Sequence, residues 1–277
     1  MMSILNKSIG VIGAGNMAQA IIGGLLRGGC QPEQIIATAP SEKTRLTISQ
    51  QFGVHVSASN LEAAGSDVLL LCVKPDVMKN VLTEIAPVLA SQKKTLVISV
   101  ATGITVDCLE RWAGCSLPVI RSMPNTPSRL GVGACGLFAN TNVSAEDKGL
   151  AESIFSAVGI FEWVADEALI DTIIAVSGSA PAYYFLFMEA MKNNGVALGL
   201  TPEVAERLTQ QTALGAAKMA SESTLSVAQL RKNVCSPGGP TEQALQAFQQ
   251  GGIEPIINNA MQAAVKRAKE MTKELSK

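Results

Sequence analysis

Histidine is almost missing: His55 is the single instance in 277 residues. Multi-histidine metal sites are therefore excluded, and a Ser-His-Asp hydrolase would have to converge on that one side chain. His55 itself reads as a solvated residue before a short strand. Aromatic residues make up only 4%, and 22 Lys plus Arg are balanced by 23 Asp plus Glu. Neither a basic stripe nor a stacking surface is available, so no nucleic-acid partner is expected. The six cysteines (Cys30, Cys72, Cys108, Cys115, Cys135, Cys235) form no CxxC pair and no secretory signal is read ahead of them. A disulfide framework and a zinc site both lack support, no metal is expected, and reduced thiols in the cytoplasm are the simpler expectation. Charge is absent between Asp171 and Glu189. That run is slightly short for a bilayer span and holds "SGSAP" at its middle, so a buried helix preceded by a loop is expected, in a soluble protein with no membrane partner.

What is present suggests two domains, since 277 residues exceed the usual single domain of about 100–200. The first half alternates short β-rich runs with helical segments: "SIGVIG" then Asn16 to Arg27, "QIIATA" then Glu42 to Gln51, "SDVLLLCV" then Val77 to Leu89, "TLVISV" then Val106 to Trp112. This order implies βαβ units and a parallel sheet covered on both faces. "LPVIRS", "GACGLFA" and "GIFEWV" read as further strands, with a helix between the last two capped by Ser144 and closed by Gly159. From about Val164 the pattern is helix alone, so the boundary is expected near 165, giving residues 1–165 and 166–277. The helical half is Ala-rich and apolar on more than one face, which points to burial against a second copy of the chain.

"IGVIGAGNMAQAI" places Gly13, Gly15 and Ala18 in G-x-G-x-x-G/A spacing between a strand and a helix. Glycines there allow a tight turn and close approach to a pyrophosphate, which the free N–H groups of the helix start then stabilise. The second strand ends "ATAPSEKTR", with no acid at its tip for a ribose 2′-hydroxyl but with Thr38, Ser41, Lys43 and Arg45, favouring NADP(H) while NAD(H) stays possible. "CVKP" (Cys72, Val73, Lys74, Pro75) and "VAT" (Val100, Ala101, Thr102) lie at strand ends where open α/β sheets bind ligands, and are expected to line the dinucleotide.

A second glycine loop, "NVCSPGGPTEQAL", sits inside the helical half. Ser236 to Gly239 read as a turn, and Pro240 with Thr241 can open the next helix. Its free backbone donors would suit a carboxylate better than a phosphate, because the loop contains no Lys or Arg. A plain capped turn is the alternative.

The ordered set "IGAGNMA", "CVKP", "SVATGIT", "RSMPNTPSRLGVG", "SGSAPAY" and "VCSPGGPTEQAL" resembles the pyrroline-5-carboxylate reductases over nearly the whole length. The resemblance implies an α/β Rossmann-type N-terminal domain, an all-α C-terminal dimerisation domain, and NAD(P)H-dependent reduction of a cyclic imine at the last step of proline synthesis. It further implies that Ile12, Gly13, Ala14, Gly15, Asn16 and Met17 hold the pyrophosphate and that Asn60 joins the lining. Asn233, Gly238, Gly239 and Thr241 match the substrate end, with Thr241 beside the imine nitrogen, and a homodimer, alone or in a larger assembly, is implied.

Three departures from the family pattern stand out. Pro240 replaces a residue that carries an N–H, so any carboxylate contact from that donor is lost and weaker substrate binding is expected. Ala180 replaces Gly or Ser, a tolerable change if a helix starts there. Ala39 stands where some relatives have a serine for the 2′-phosphate, leaving Thr38 and Ser41 as substitutes. Competing readings are a β-hydroxyacid dehydrogenase, for which Lys192, Lys218 and Lys232 lack the accompanying motif, and a non-catalytic NADP-binding protein.

Overall fold

The structure is a computed structural model that describes residues 6–92 and 94–276. By compactness it forms two units: one of residues through Ser179 together with the segment from Ala264 onward, and one of Ala180–Ala263.

The first unit is built on an eight-stranded sheet: β1 Ile9–Ile12, β2 Ile35–Thr38, β3 His55–Ser57, β4 Val68–Leu71, β5 Leu96–Ser99, β6 Val119–Met123, β7 Gly133–Ala139 and β8 Gly159–Trp163, in the order β3-β2-β1-β4-β5-β6-β7-β8. Its helices are α1 Asn16–Arg27, α2 Glu42–Phe52, α3 Asn60–Ala64, α4 Pro75–Ser91, α5 Val106–Ala113, α6 Ala145–Ser156 and α7 Leu169–Ile173. The central strands β1, β4 and β5 are buried at every position, as continuous apolar runs covered on both faces must be. Because side chains alternate along a strand, neighbours divide between two cores. Val68, Leu70, Leu96 and Ile98 join one core with α1, α2 and α6 residues. Leu69, Leu71 and Val97 join the other, with α3, α4 and α5 residues.

Four features differ from expectation. The sheet is parallel except between β6 and β7. Only residues 124–132 separate these strands, fewer than the dozen or so that a parallel crossover needs. Second, α6 takes Ser144 as N-cap with a capping box to Asp147, as anticipated, but it ends at Ser156 on Ala157, and Gly159 opens β8 instead. A Cβ on Gly159 would lie 2.0 Å from the Gly133 carbonyl oxygen, so glycine is required there by strand approach rather than by helix closure.

Third, "SGSAP" is not a loop. A π turn over Ile174–Gly178 runs from α7 directly into α8, Ala180–Ala197, and the Ser179 N–H reaches the Ile174 carbonyl at 2.8 Å. Pro181 has no N–H for the carbonyl of Ser177 four residues earlier. Asn125 fills that gap, donating through Nδ2 to Ser177 O at 3.1 Å while its Oδ1 accepts from the Ala134 N–H at 2.9 Å. Ala180 opens α8 as a buried residue.

Fourth, compactness divides the chain at Ser179 rather than near 165. The segment just past 165 is tied to the sheet by Arg121 of β6, which is only 2% exposed. Its Nη1 donates to Glu167 at 3.1 Å and its Nη2 to Asp171 at 3.3 Å, and Glu167 also accepts from the Val106 N–H of α5 at 2.9 Å. A guanidinium held this far from water needs both carboxylates.

The second unit holds α8, α9 Pro202–Glu222, α10 Val227–Val234, α11 Pro240–Gln250 and the first part of α12, Ile253–Leu275. Thr201 caps α9 with Pro202 at the first helical position, as its sequence predicts. The expectation of a buried α8 is not met within the chain: Tyr184, Phe185 and Leu186 are all about two-thirds exposed. With few residues of its own buried, this unit leaves a large apolar surface uncovered.

Candidate dinucleotide and substrate sites

In the first unit, β1 ends at Ile12 and the chain turns at Gly13 with φ +93. The Gly13 N–H donates to Thr38 O at 3.0 Å and the Cys72 N–H to Ile12 O at 2.8 Å, which fixes the turn between its two neighbouring strands. A Cβ on Gly13 would sit 2.8 Å from the Cys72 carbonyl, so no side chain fits. At Gly15 the opposite holds, since a Cβ would meet nothing within 4 Å. That open face lies at the N-cap of α1, which has no side-chain cap and no acidic residue in its first turn. Ala18 is fully buried and lets the helix close on the sheet. Free amides, an uncapped helix start and open space fit a dinucleotide pyrophosphate. Asn16 lies exposed and Met17 half-buried on the first turn, and Ala14 is buried beneath them.

The tip of β2 corrects one expectation. Thr38 is fully buried, and its hydroxyl donates to Asn60 Oδ1 at 2.7 Å, whose Nδ2 donates to Glu84 at 2.9 Å. Thr38 therefore cannot present its side chain to a 2′-phosphate. Ser41 remains exposed as the N-cap of α2. Arg45, one turn along α2, folds back so that Nη1 donates to Ala39 O at 2.7 Å and to Pro40 O at 2.8 Å. Among the described residues its Nη2 and Nε have no acceptor. Sequence placed Arg45 among the cations of this corner but could not show that it is pinned across it.

Lys74 is exposed and N-caps α4 through its backbone, with Pro75 as the first helical residue. Cys72 and Val73 are half-buried, and burial pushes the Cys72 thiol up to about 12. Val100, Ala101 and Thr102 follow β5, and the Thr102 hydroxyl lies 3.7 Å from Met123 Sδ. A Cβ on Gly178 of the π turn would lie 2.7 Å from Met123 Cε. Met123 and Asn125 lie in "RSMPNTPSRLGVG", and the one sequence signal for Asn125 is the gap that Pro181 leaves in the helix ladder. His55 lies on the exposed edge of β3 with Glu62 at 3.5 Å, outside this site.

In the second unit, the turn after α10 also needs correction. The Gly239 N–H donates to Ser236 O at 3.0 Å, and the Gly238 N–H donates to the Glu242 carboxylate at 2.8 Å. Gly238 adopts φ +71, the left-handed conformation that glycine tolerates. Neither amide is thus open to a substrate, and Pro240 has none. Thr241 is the exception. Gly239 is the N-cap of α11 with no side-chain cap, and among the described residues neither the N–H nor the hydroxyl of Thr241 has a partner. The Glu242 N–H is likewise free in the first turn of α11. Asn233 is exposed one turn before the loop, accepting from Gln229 Nε2 at 2.9 Å. Glu242, which sequence reading left without a role, belongs to a loop closed on itself.

Residues 167–271 match the family profile for pyrroline-5-carboxylate reductase dimerisation, and residues 8–103 match that for coenzyme F420-dependent NADP oxidoreductases. A curated pyrroline-5-carboxylate reductase of Pseudomonas aeruginosa is 48% identical over 96% of this chain and 97% of its own. The chain belongs to the pyrroline-5-carboxylate reductase family. Among solved structures, the family member from Coxiella burnetii superposes with a TM-score of 0.92 at 46% identity, covering 96% of this chain and 98% of its own. A Plasmodium falciparum pyrroline carboxylate reductase solved with NADP bound gives 0.85 at 32% identity, covering 97% and 99%. Family membership makes the protein an NAD(P)H-dependent oxidoreductase acting on a small molecule as a homo-oligomer. It also displaces the β-hydroxyacid dehydrogenase reading.

Proposed function

We propose that the protein reduces 1-pyrroline-5-carboxylate to L-proline with NADPH, the last step of proline synthesis, and that Thr241 is its catalytic residue. The observation that carries this is the near-full-length identity to a curated reductase. The bound dinucleotide supplies the hydride for the imine carbon. Ile12 to Met17 cradle the pyrophosphate, and Asn60, Cys72 to Pro75 and Val100 to Thr102 line the rest. Ser41 and Arg45 offer donors for the 2′-phosphate, a corner with no acid at the strand tip to favour NADH instead.

At α11 the amides of Thr241 and Glu242 are the free donors for a substrate carboxylate, where the helix start favours negative charge. Gly238, Gly239 and Pro240 shape that turn, and Asn233 flanks it. The Thr241 hydroxyl is placed to hydrogen-bond the ring nitrogen. It is too weak an acid to protonate the nitrogen alone, so the proton is already on the iminium or is relayed from water through Thr241. Fixing the carboxylate and nitrogen together supplies the orientation that hydride transfer requires. A free hydroxyl at this position, serving no cap, argues against a non-catalytic binding protein.

The uncovered apolar faces of the second unit suit a homodimer, on which larger assemblies can build. Balanced charge and six free cysteines suit a cytoplasmic enzyme without nucleic-acid or membrane partners. Incubation with the imine and NADPH should yield proline, one per NADPH consumed, by amino-acid analysis. Consumption with hydroxy acids or their keto forms but not with the imine would overturn the reading.

A further inference from the structure

The carboxyl-terminal helix α12 opens in the second unit, yet from Ala264 onward it belongs to the first. Ala268 is buried there, and Leu275 packs against the core cluster that contains Ala101 and Ile104. Between those two residues lies Gly103, buried with φ +78. A Cβ on Gly103 would lie 3.3 Å from Leu275 Cδ1, 3.3 Å from Met271 Cβ and 3.4 Å from Thr272 N. The helix backbone therefore abuts the loop that follows β5, and a methyl group on Gly103 would press on the helix by a few tenths of an ångström at a φ that already favours glycine. On the far side of the same loop, Thr105 caps α5 by accepting from the Cys108 N–H at 3.3 Å. Arg111 of α5 then donates through Nη2 to the Ser276 carbonyl, so the Gly103 loop and the helix that follows it both meet the segment at the end of α12.

The three residues just ahead of Gly103 are Val100, Ala101 and Thr102, which the cofactor reading assigns to the dinucleotide. We propose that Met271 to Ser276 form a positioning element of the dinucleotide site, bracing the Val100–Thr102 loop from behind through Gly103 and Arg111. This rests on the assignment of that loop to the cofactor, and not on the identity of the imine. It makes the last turns of the helix, which touch no reacting atom, part of what sets NADPH affinity. A packed helix end transmits such support because dense contacts cannot yield without moving their neighbours.

The test uses the full-length protein with Leu275→Ala, and separately Arg111→Leu, which leaves the helix intact and removes its tie. The dissociation constant for NADPH is measured by fluorescence, alongside KM for NADPH and for the imine. The expected result is NADPH binding weakened roughly threefold to thirtyfold, with the imine KM changed less than about twofold. Combining Leu275→Ala with Thr102→Val should give less than the product of the two separate effects on NADPH binding, since both act on one loop. Unchanged NADPH affinity in both variants, equal losses for NADPH and imine, or strict additivity with Thr102→Val would overturn the proposal. Wild-type protein that binds NADPH but leaves the imine untouched would sink the reductase reading alone, since the binding measurements stand without turnover.

Discussion

Thr241 owes its availability to its neighbours. Gly239 already serves as the N-cap of α11 and Glu242 closes back on Gly238, so neither the amide nor the hydroxyl of Thr241 is used to hold the turn together. Thr241→Val keeps the shape and removes the hydroxyl. It should lower kcat/KM for the imine by roughly tenfold to a hundredfold, the scale of one hydrogen bond to a charged group. Thr241→Ser should retain most of the activity. Equal losses in both would point to packing rather than to the hydroxyl. Arg45 is the counterpart proposed for the cofactor end. Arg45→Ala should raise KM for NADPH by about tenfold to a hundredfold and leave that for NADH within about threefold. A similar rise for both cofactors would mean that Arg45 only braces the carbonyls of Ala39 and Pro40. At this scale sequence was least informative. Thr38 and Arg45 both appear in "ATAPSEKTR", but that the Thr38 hydroxyl is already taken depends on a buried bond to Asn60 that spacing does not encode.

Among elements, the join between α7 and α8 carries the most specific prediction. Asn125→Leu would leave both the Ser177 carbonyl and the Ala134 N–H without their partner. It should destabilise the protein by about 2–4 kcal/mol in urea unfolding at fixed protein concentration, and a change below about 1 kcal/mol would contradict the account of the π turn. The βαβ series was legible because buried parallel strands leave unbroken apolar runs, and α1 matches its expected limits. Strand direction was not legible, since an apolar run reads the same either way and only the short link across residues 124–132 reverses β7. The π turn was hidden for a related reason. Gly178 and Pro181 are loop signals locally, and the side chain that satisfies the exposed carbonyl comes from Asn125, far away in sequence. The tight turn expected at Gly13 is present because its requirement is local, whereas the second glycine loop depends on a side chain, Glu242, that takes up the Gly238 amide.

Over the whole molecule, the second unit exposes aromatic and aliphatic side chains that a soluble monomer would not leave in water, Tyr184, Phe185 and Leu186 among them. Sedimentation at micromolar concentration should show a dimer or a multiple of it, and a monomer would contradict that assignment. The change from mixed to all-helical pattern near residue 165 was visible in sequence, and the dimerisation profile begins at residue 167. The compact unit reaches Ser179 because a buried arginine on β6 binds Glu167 and Asp171, and such a pairing across about fifty positions leaves no periodic trace. The central claim is that this chain, with a dinucleotide corner in one unit and a carboxylate-binding turn in the other, is an imine reductase preferring NADPH. Initial rates with 1-pyrroline-5-carboxylate and each reduced cofactor test it directly. The account predicts saturable oxidation with the imine and a higher kcat/KM for NADPH than for NADH; no imine-dependent oxidation, or a preference for NADH, would contradict it.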